Sequence, residues 1–482
     1  MSGTEDRAEA SSPNPVADDE FEAMMLSQRR PRPPPLEKHQ WFDAWKTAKT
    51  SGLKTIVEDT LANVAHYEER TKARKRARRG IDEEHHRRRV EAIVCNLAHA
   101  VLLPPPTGRI AVKLGKGGAH RTRYDSPVMS KTLSPLIWIL KDRDLLDLKW
   151  VRGRGEVSSI APTAWFSRRV CEQGVELGDF GRHETEEVIF LARNTRPAAS
   201  RVRGGDRTPH REHIDYEDTP TTRRYRETLR RLNTFLADSE IVFDGSPDTR
   251  VDPFDRTLRR RFTILEDQEE RFDQNGRLFG GFWQTLSKAS RRAIRINGEE
   301  VVELDYRSMF SRLAYADVGA TPPEGDLYAI PELAGYRSGV KMAMNTLLFD
   351  SGLRRSWQKE IGVGVGTDAD AASDPTSSAA QFEARLPAGY GVKRTKEAIL
   401  KAHPCLKDAW GRRLGYTLMF RESEILIAVL EDLAAIGTPA LGIHDGLIVP
   451  ASRATAARGI MERRAIEMTG VPIPVGMTGD AY

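Results

Sequence analysis

Two aspartates in this chain follow apolar runs and are candidates for metal chemistry. Asp305 ends the run VVELD, which predicts a buried strand. Asp445 lies in ALGIHDGLIVP, where His444, Asp445 and Gly446 predict a bend between two strands. On neighbouring strands, two carboxylates about 4 Å apart would repel by roughly 4 kcal/mol at an effective dielectric of 20. A pair of Mg²⁺ ions would offset that repulsion, although each aspartate taken alone is more often an ordinary turn residue.

The segment RSGVKMAMNTLLF (337–349) lies between these aspartates and carries two cations one helical turn apart. Arg337, Lys341, Asn345 and Phe349 recur every four residues, so they share one face of the predicted helix. Cations at this spacing repel mildly on an isolated helix. Their pairing is explained if the face binds a triphosphate, with Lys341 nearer the reacting phosphate. A chance pair on a solvated helix is the alternative.

Five segments, in order, resemble motifs of the family-A nucleic-acid polymerases, which include bacterial repair-type DNA polymerases and phage-type single-subunit RNA polymerases. They are FDQNGRLF (272–279), similar to the T/D-x-x-G-R element that touches primer–template; DYRSMFSRLAYA (305–316), similar to motif A; DLY (326–328), similar to a short D-x-H or D-x-Y segment; RSGVKMAMNTLLF (337–349), similar to motif B, R-x3-K-x7-Y/F; and IHDGLIV (443–449), similar to motif C. Any one match is weak, but five in the right order indicate polymerase ancestry. The resemblance covers residues 262 to 450.

The resemblance implies roles for particular residues. Asp305 and Asp445, with the carbonyl of Tyr306, would hold two Mg²⁺ ions, for which Mn²⁺ can substitute. Arg337 and Lys341 would bind the triphosphate, and Lys341 would protonate the leaving pyrophosphate. The other implied contacts are Tyr328, Phe310 and Phe349 at the incoming nucleotide, and Arg277, His444 and Arg312 at the primer–template.

The chain departs from the family pattern at three motif positions. Phe310 stands where motif A has Glu, Phe349-Asp350 replaces Tyr-Gly at the end of motif B, and Gly446 replaces the second acid of motif C. A bulky aromatic side chain beneath the sugar excludes a 2′-hydroxyl, and Phe349 lacks the hydroxyl with which the RNA enzymes sense it. Both differences favour dNTPs, unless Phe310 is simply a core residue. No D-x-E exonuclease constellation is found upstream, so proofreading is not expected.

Composition excludes several classes of protein. The 482 residues predict about three domains. The chain is 39% hydrophobic and 30% charged, with a net charge of +5, which allows a sizeable core and a polyanionic partner. The cysteines, Cys95, Cys171 and Cys405, lie too far apart in sequence for a disulfide framework or a zinc site. Without a signal peptide or a long apolar run, we expect no membrane partner and a cytoplasmic, bacterial or phage-encoded protein.

The N-terminal half carries basic segments and a pattern typical of a small DNA-binding domain. Between residues 90 and 166, a helix, the strand RIAVKL, a helix capped by Ser134-Pro135 and a hairpin around Gly153 and Gly155 follow in the order of a winged helix. A small α/β packing unit without DNA contact is the alternative. The basic run at 70–79 and the arginine-rich helix after 222 are equally compatible with DNA binding or with solvated helix faces.

These elements predict an α+β, multidomain protein whose right-hand polymerase palm is an antiparallel sheet with helical fingers and thumb. The predicted regions are a disordered tail (1–36), a helical and winged-helix-like, DNA-binding region (37–170), a linker with a basic thumb-like helix (171–261), the first part of the palm with the start of the fingers (262–350), trimmed fingers with a mobile loop at 361–383 (351–414), and the second part of the palm (415–482).

The expected function is template-directed extension of a DNA primer with dNTPs. Two rival functions stay open: a single-subunit RNA polymerase or primase, and a DNA-binding replication initiator that keeps the palm only as a scaffold. Incorporation of rNTPs without a primer would indicate the first rival. An activity that depends on Mg²⁺ and is lost in Asp305→Ala would separate an enzyme from the second. The sequence leaves the biological role open among replication, repair, mobile-element maintenance and phage defence.

Overall fold

The computed structural model describes residues 39–72, 76–114, 122–151, 156–195, 210–246, 250–265, 268–357, 386–387 and 389–477. The predicted tail at 1–36, the predicted loop at 361–383 and the tip of the predicted N-terminal hairpin, with Gly153 and Gly155, lie outside the described residues. Within them the chain has eleven α-helices and four sheets, a mixed organisation consistent with a multidomain α+β protein.

The elements follow one another with few long connections. The helices are α1 (Ser51–Thr71), α2 (Gly80–Leu102), α3 (Leu133–Asp142), α4 (Ala164–Glu172), α5 (Pro220–Asp238), α6 (Lys288–Arg291), α7 (Met309–Asp317), α8 (Arg337–Phe349), α9 (Val392–Ala402), α10 (Gly415–Ala435) and α11 (Ala454–Thr469). The strands are β1 (Gln40–Trp41), β2 (Lys46–Ala48), β3 (Ile110–Ala111), β4 (Leu146–Lys149), β5 (Ser159–Pro162), β6 (Phe180–Arg182), β7 (Ile189–Thr195), β8 (His210–His213), β9 (Ile241–Phe243), β10 (Arg259–Ile264), β11 (Asn275–Phe279), β12 (Ile294–Ile296), β13 (Glu299–Tyr306), β14 (Leu441–Ile443), β15 (Gly446–Pro450) and β16 (Val475–Met477).

The described residues form two hydrophobic cores. The first core runs from Ala48 to Phe180 and therefore extends past the predicted limit at 170. The second runs from Val188 to Val475 and includes residues of the predicted linker and thumb-like region. Because β10 pairs in parallel with β7, the chain before and after 261 belongs to one folded unit.

The first core contains a short sheet in the order β1-β3-β5-β4. Helix α3 packs on β4, and its inward side chains Leu133, Leu136, Ile137 and Leu140 are buried. This helix begins before the predicted Ser134-Pro135 cap, because Thr132 already has helical backbone angles and its carbonyl accepts from the N–H of Leu136. The order α2, β3, α3, β4, β5 follows the predicted order of elements, with β3 shorter than the segment RIAVKL.

The second core contains the sheet that carries both aspartates. Its strands follow the order β14-β15-β13-β12-β9, and β16 also pairs with β13. All pairs in this sheet are antiparallel. A second sheet, in the order β11-β10-β7-β8, carries Arg277, and α10 packs against β11. Helix α10 thus joins the two sheets into one unit.

Among the described helices, none has the combination of length and apolar character that crossing a bilayer requires.

Candidate active site

The pairing of β13 with β15 brings the two predicted metal-binding aspartates together. In this antiparallel register Asp305 lies opposite Gly446, directly after Asp445. The backbone N–H of Tyr306 donates to the carbonyl of Asp445 at 3.3 Å. Two residues 140 positions apart therefore become neighbours at one end of the sheet.

A two-residue turn holds Asp445 at the tip of the hairpin formed by β14 and β15. His444 enters the left-handed region with φ of 50°, which turns the chain within two residues. Two side chains that the sequence analysis missed fix the base of this turn. The indole N–H of buried Trp283 and the amide of Gln284 both donate to the carbonyl of Gly442, at 2.9 and 3.0 Å.

Gly446 makes the close approach of the two strands possible. A Cβ atom at this position would lie 2.5 Å from the carbonyl oxygen of Leu304 and 2.9 Å from Oδ1 of Asp305. Real side chains avoid such contacts, so an acid at 446 would displace Asp305. The departure from motif C at this position therefore has a steric reason in this chain.

Burial and the closeness of the two carboxyl groups change the electrostatics of this pair. Although one side of Asp305 is open to solvent, loss of water on its other sides and the nearby Asp445 raise the pKa of Asp305 to about 7. The two carboxyl groups are close enough for a hydrogen bond when one of them is protonated. Lys341 and Lys288 act in the opposite direction and lower the pKa of Asp305.

The donor atoms here fit a hard divalent cation. Mg²⁺ binds proteins through one or two carboxylates and completes its shell with water and substrate phosphates. Within the described part of the chain, no group of three or more His, Cys, Asp or Glu side chains forms a metal site. As two carboxylates, Asp305 and Asp445 match the small number of protein ligands with which Mg²⁺ is bound at phosphate-transfer sites.

Helix α8 presents the predicted cations on its accessible face. It spans Arg337–Phe349, the range that its sequence predicts, and its opposite face buries Val340, Ala343, Met344, Leu347 and Leu348. Lys341 is exposed and lies within electrostatic range of Asp305. Arg337 is engaged with Asp326, its Nε 2.5 Å from Oδ2 and its Nη2 3.1 Å from Oδ1. A triphosphate would have to share Arg337 with Asp326.

Tyr328 lies beneath these cations instead of in the open site. Only 3% of it is exposed. The guanidinium of Arg337 and the ammonium of Lys341 lie 5.4 and 6.0 Å from the centre of its ring. Burial raises the pKa of Tyr328. Tyr328 thus supports the cationic face, and its contact with the nucleotide stays a prediction.

Phe310 and Phe349 come together as an aromatic pair. Ser308, with φ of 54°, turns the chain from β13 into α7, which places Phe310 in the first turn of that helix. The rings of Phe310 and Phe349 are 5.9 Å apart, and Tyr416 packs edge-on against Phe349 at 5.2 Å. Gly415 leaves the space for Phe349, since a Cβ there would lie 2.6 Å from its ring. Phe310 is half-buried, intermediate between a core residue and a surface residue.

Arg277 contacts a carboxylate that the sequence analysis did not identify. Its Nη2 donates to Oε2 of Glu422 at 2.9 Å, and its guanidinium lies 5.4 Å from the centre of the Phe310 ring. Glu422 is fully buried on α10, and burial raises its pKa to about 7. The available signal was a glutamate within the apolar stripe that includes Leu418 and Leu426.

The two remaining predicted primer–template residues have different environments. His444 is exposed at the tip of the hairpin, beside Asp445. Arg312 is only 5% exposed, and its guanidinium donates to the carbonyls of Gly325 and Pro472 at 3.1 and 3.5 Å. Arg312 therefore ties α7 to neighbouring segments inside the protein, and its contact with primer–template stays a prediction.

Comparison with known proteins gives little independent information. No protein-family model matches this chain. No curated protein matches it. One similar solved structure is described as the POL domain of Pol1 from M. smegmatis in complex with DNA primer-template and dNTP; the match has 10% sequence identity and a TM-score of 0.25, and covers 90% of this chain and 66% of that chain.

Proposed function

We propose that this protein is a template-directed nucleotidyltransferase, a DNA polymerase that extends a primer with dNTPs. One observation carries the proposal: Asp305 lies beside Asp445 where β13 pairs with β15, and within electrostatic range of exposed Lys341 on α8. Carboxylates that bind divalent cations beside a cation that binds phosphate are the components of phosphoryl transfer. The five motifs in family order support the same function.

Asp305 and Asp445, with the carbonyl of Tyr306, are the proposed ligands for Mg²⁺. When bound, two such ions supply charge stabilisation at the attacking and leaving oxygens. The protein contributes the rigid antiparallel register that keeps both carboxylates at one edge of the sheet. It also contributes Gly446, whose missing side chain leaves room for the carboxylate of Asp305.

Lys341 is the proposed contact for the reacting part of the triphosphate and the proposed acid for the leaving pyrophosphate. Its ammonium is exposed on the face of α8 that it shares with Arg337. A proton donor that reaches the leaving oxygen lowers the barrier to pyrophosphate departure. Arg337 would bind the outer phosphates by exchanging its contact with Asp326 for a phosphate.

Phe310 is the proposed contact for the incoming sugar, with Phe349 stacking at the nascent base pair. The half-buried ring of Phe310 packs between Phe349 and Arg277. These two contacts restrict the motion of the ring, so in this proposal it resists moving aside for a 2′-hydroxyl. This arrangement favours dNTPs over rNTPs.

In this proposal the sheet containing β13 and β15 is the palm, α8 belongs to the fingers, and the first core binds DNA as a winged helix. The support for the last assignment is the sheet order β3-β5-β4 with α3 packed on β4, which are the parts of such a domain. Exposed Lys141 on α3 and Lys149 on β4 supply positive charge there.

The test is primer extension by the purified protein on a primed template with Mg²⁺, using dNTPs and rNTPs in parallel. We expect dNTP incorporation that Asp445→Ala abolishes while DNA binding persists. Asp244→Asn is a suitable control, because the side chain of Asp244 is exposed and lies 3.9 Å from Nε of Arg295. Extension by Asp445→Ala within tenfold of the wild type would refute the catalytic assignment. Preferential incorporation of rNTPs would favour an RNA polymerase or primase.

A further inference from the structure

Glu422 is a buried carboxylate beside the candidate site that none of the five motifs contains. It is 0% exposed, and Oε1 has no hydrogen-bond partner among the described residues. Its other oxygen accepts from Arg277 at 2.9 Å. A buried ion pair of this kind is often no more stabilising than apolar side chains of similar volume. Since Glu422 occupies an otherwise apolar stripe of α10, stability alone does not explain a glutamate here.

The partner of Glu422 lies between two parts of the candidate site. Arg277 is held by Glu422 on one side, and its guanidinium faces the ring of Phe310 at 5.4 Å on the other. Only 20% of the Arg277 side chain is exposed, so the contact is largely shielded from water. A planar guanidinium can donate to a carboxylate and lie against an aromatic ring at the same time.

A second ion pair on the same helix shows which feature is specific to Glu422. Glu424, two residues along α10, binds Arg260 at 2.7 Å. Arg260 lies against the rings of Tyr225, Phe262 and Phe420. This pair has similar chemistry but does not include Phe310.

We infer that Glu422 is a positioning residue for sugar selection: by holding Arg277 against Phe310, it fixes the ring that excludes the 2′-hydroxyl. This inference rests on the proposed function. Phe310 also packs against Phe349, so its ring is held from two sides. Without Glu422, Arg277 loses the hydrogen bond that holds its guanidinium on this side, and the support that Arg277 gives to Phe310 weakens. Discrimination between dNTPs and rNTPs then falls, while dNTP incorporation continues.

The test compares single-nucleotide incorporation of dNTPs and rNTPs, as kcat and KM, in the full-length protein. Glu422→Leu removes the carboxylate and suits the apolar stripe, whereas Glu422→Gln retains an oxygen that accepts from Arg277. We expect discrimination to fall at least tenfold in Glu422→Leu and to stay within threefold of the wild type in Glu422→Gln. Glu424→Leu, the matched control, lowers the melting temperature but leaves discrimination unchanged.

Combination with Phe310→Ala shows whether the effect passes through that ring. We expect that adding Glu422→Leu to Phe310→Ala causes no further loss of discrimination between dNTPs and rNTPs. If Glu422→Leu does not fold, Arg277→Lys replaces it, because lysine keeps the charge beside Glu422 and removes the planar group beside Phe310. We expect the same tenfold loss from that variant.

Several outcomes would overturn the inference. The first two are equal losses of dNTP and rNTP incorporation, and unchanged discrimination in Glu422→Leu or its substitute. The others are a full further loss of discrimination when Glu422→Leu is added to Phe310→Ala, and a loss of discrimination in Glu422→Gln as large as that in Glu422→Leu. A wild-type protein that incorporates neither sugar would overturn the proposed function and this inference together. Incorporation by the wild type with any of the other outcomes overturns the inference alone.

Discussion

Ionisation of Glu422 should make the second core less stable as the pH rises. Burial raises the pKa of Glu422 in the folded protein from its ordinary 4.5 to about 7. The unfolded chain therefore releases this proton at lower pH than the folded protein does. Below about pH 4.5 the group is protonated in both states and contributes nothing. As the pH rises from about 4.5 to 7 the folded state loses stability relative to the unfolded state, and above 7 the loss is constant.

The size of this effect follows from the difference between the two pKa values. At about 1.36 kcal/mol for each tenfold change in proton affinity, the full loss is about 3 kcal/mol, of which about 2 kcal/mol falls between pH 5.5 and 8.5. In Glu422→Gln the side chain stays neutral, so this pH-dependent loss disappears. Relative to the wild type, the variant should gain about 2 kcal/mol over that range, or roughly 4 °C in melting temperature for a unit of this size.

Calorimetry of the second core's unfolding transition at pH 5.5 and pH 8.5 measures this difference. The control is Glu431→Gln on the same helix, because Glu431 is 40% exposed in its ion pair with Arg231. The melting temperature of Glu431→Gln should differ from that of the wild type by the same amount at pH 5.5 and at pH 8.5. If the difference in melting temperature between Glu422→Gln and the wild type also changes by less than 1 °C from pH 5.5 to pH 8.5, the argument that burial perturbs Glu422 is refuted.

Three further predictions concern the site and the first core. Gly446→Ala should lower stability by about 1–3 kcal/mol and reduce dNTP incorporation, because the new Cβ displaces the neighbouring strand and the carboxylate of Asp305. Gly459→Ala in α11, where a Cβ meets nothing within 4 Å, should leave stability and incorporation unchanged. Equal behaviour of the two variants in melting and primer-extension assays would contradict the steric argument. Phe310→Ala should lower discrimination of dNTPs over rNTPs at least tenfold. Its loss of stability should be smaller than the roughly 3–5 kcal/mol of a fully buried Phe→Ala change, because this side chain is half-buried. A folded variant with unchanged discrimination would show that Phe310 does not select the sugar. The double variant Lys141→Gln/Lys149→Gln should bind duplex DNA with a weaker salt dependence. The slope of log affinity against log salt, measured by fluorescence anisotropy, should fall by up to about 1.8, or roughly 0.9 for each phosphate that a lysine no longer neutralises. An unchanged slope would place DNA binding elsewhere.

Local pattern was sufficient to predict the elements that carry the chemistry. The apolar period of 337–349 predicts helix α8 over the residues that form it, since the spacing of its buried and accessible faces lies within the segment itself. The hairpin around Asp445 follows in the same way from two short apolar runs on either side of a polar turn. In both cases the interactions that determine the structure connect residues only a few positions apart.

Family resemblance extended the prediction to residues far apart in sequence, and the structure separated those residues by environment. Asp305 and Asp445 meet because β13 pairs with β15. Arg312 and Tyr328 satisfy the same motifs, yet both are buried, and Arg312 bonds to carbonyls within the protein. A motif fixes the type of residue at a position, whereas the packing of neighbouring elements decides whether its side chain reaches the open site.

The two acidic motifs, the cationic helix and the order of the elements around them can be predicted from the sequence, because they depend on residue type and short-range periodicity. The need for a glycine at position 446 and the contact of Glu422 with Arg277 across 145 positions become visible only in the folded protein. Such contacts depend on which strands become neighbours and how closely a helix packs over them. A strand or helix pattern states which face is buried, but not which distant face covers it.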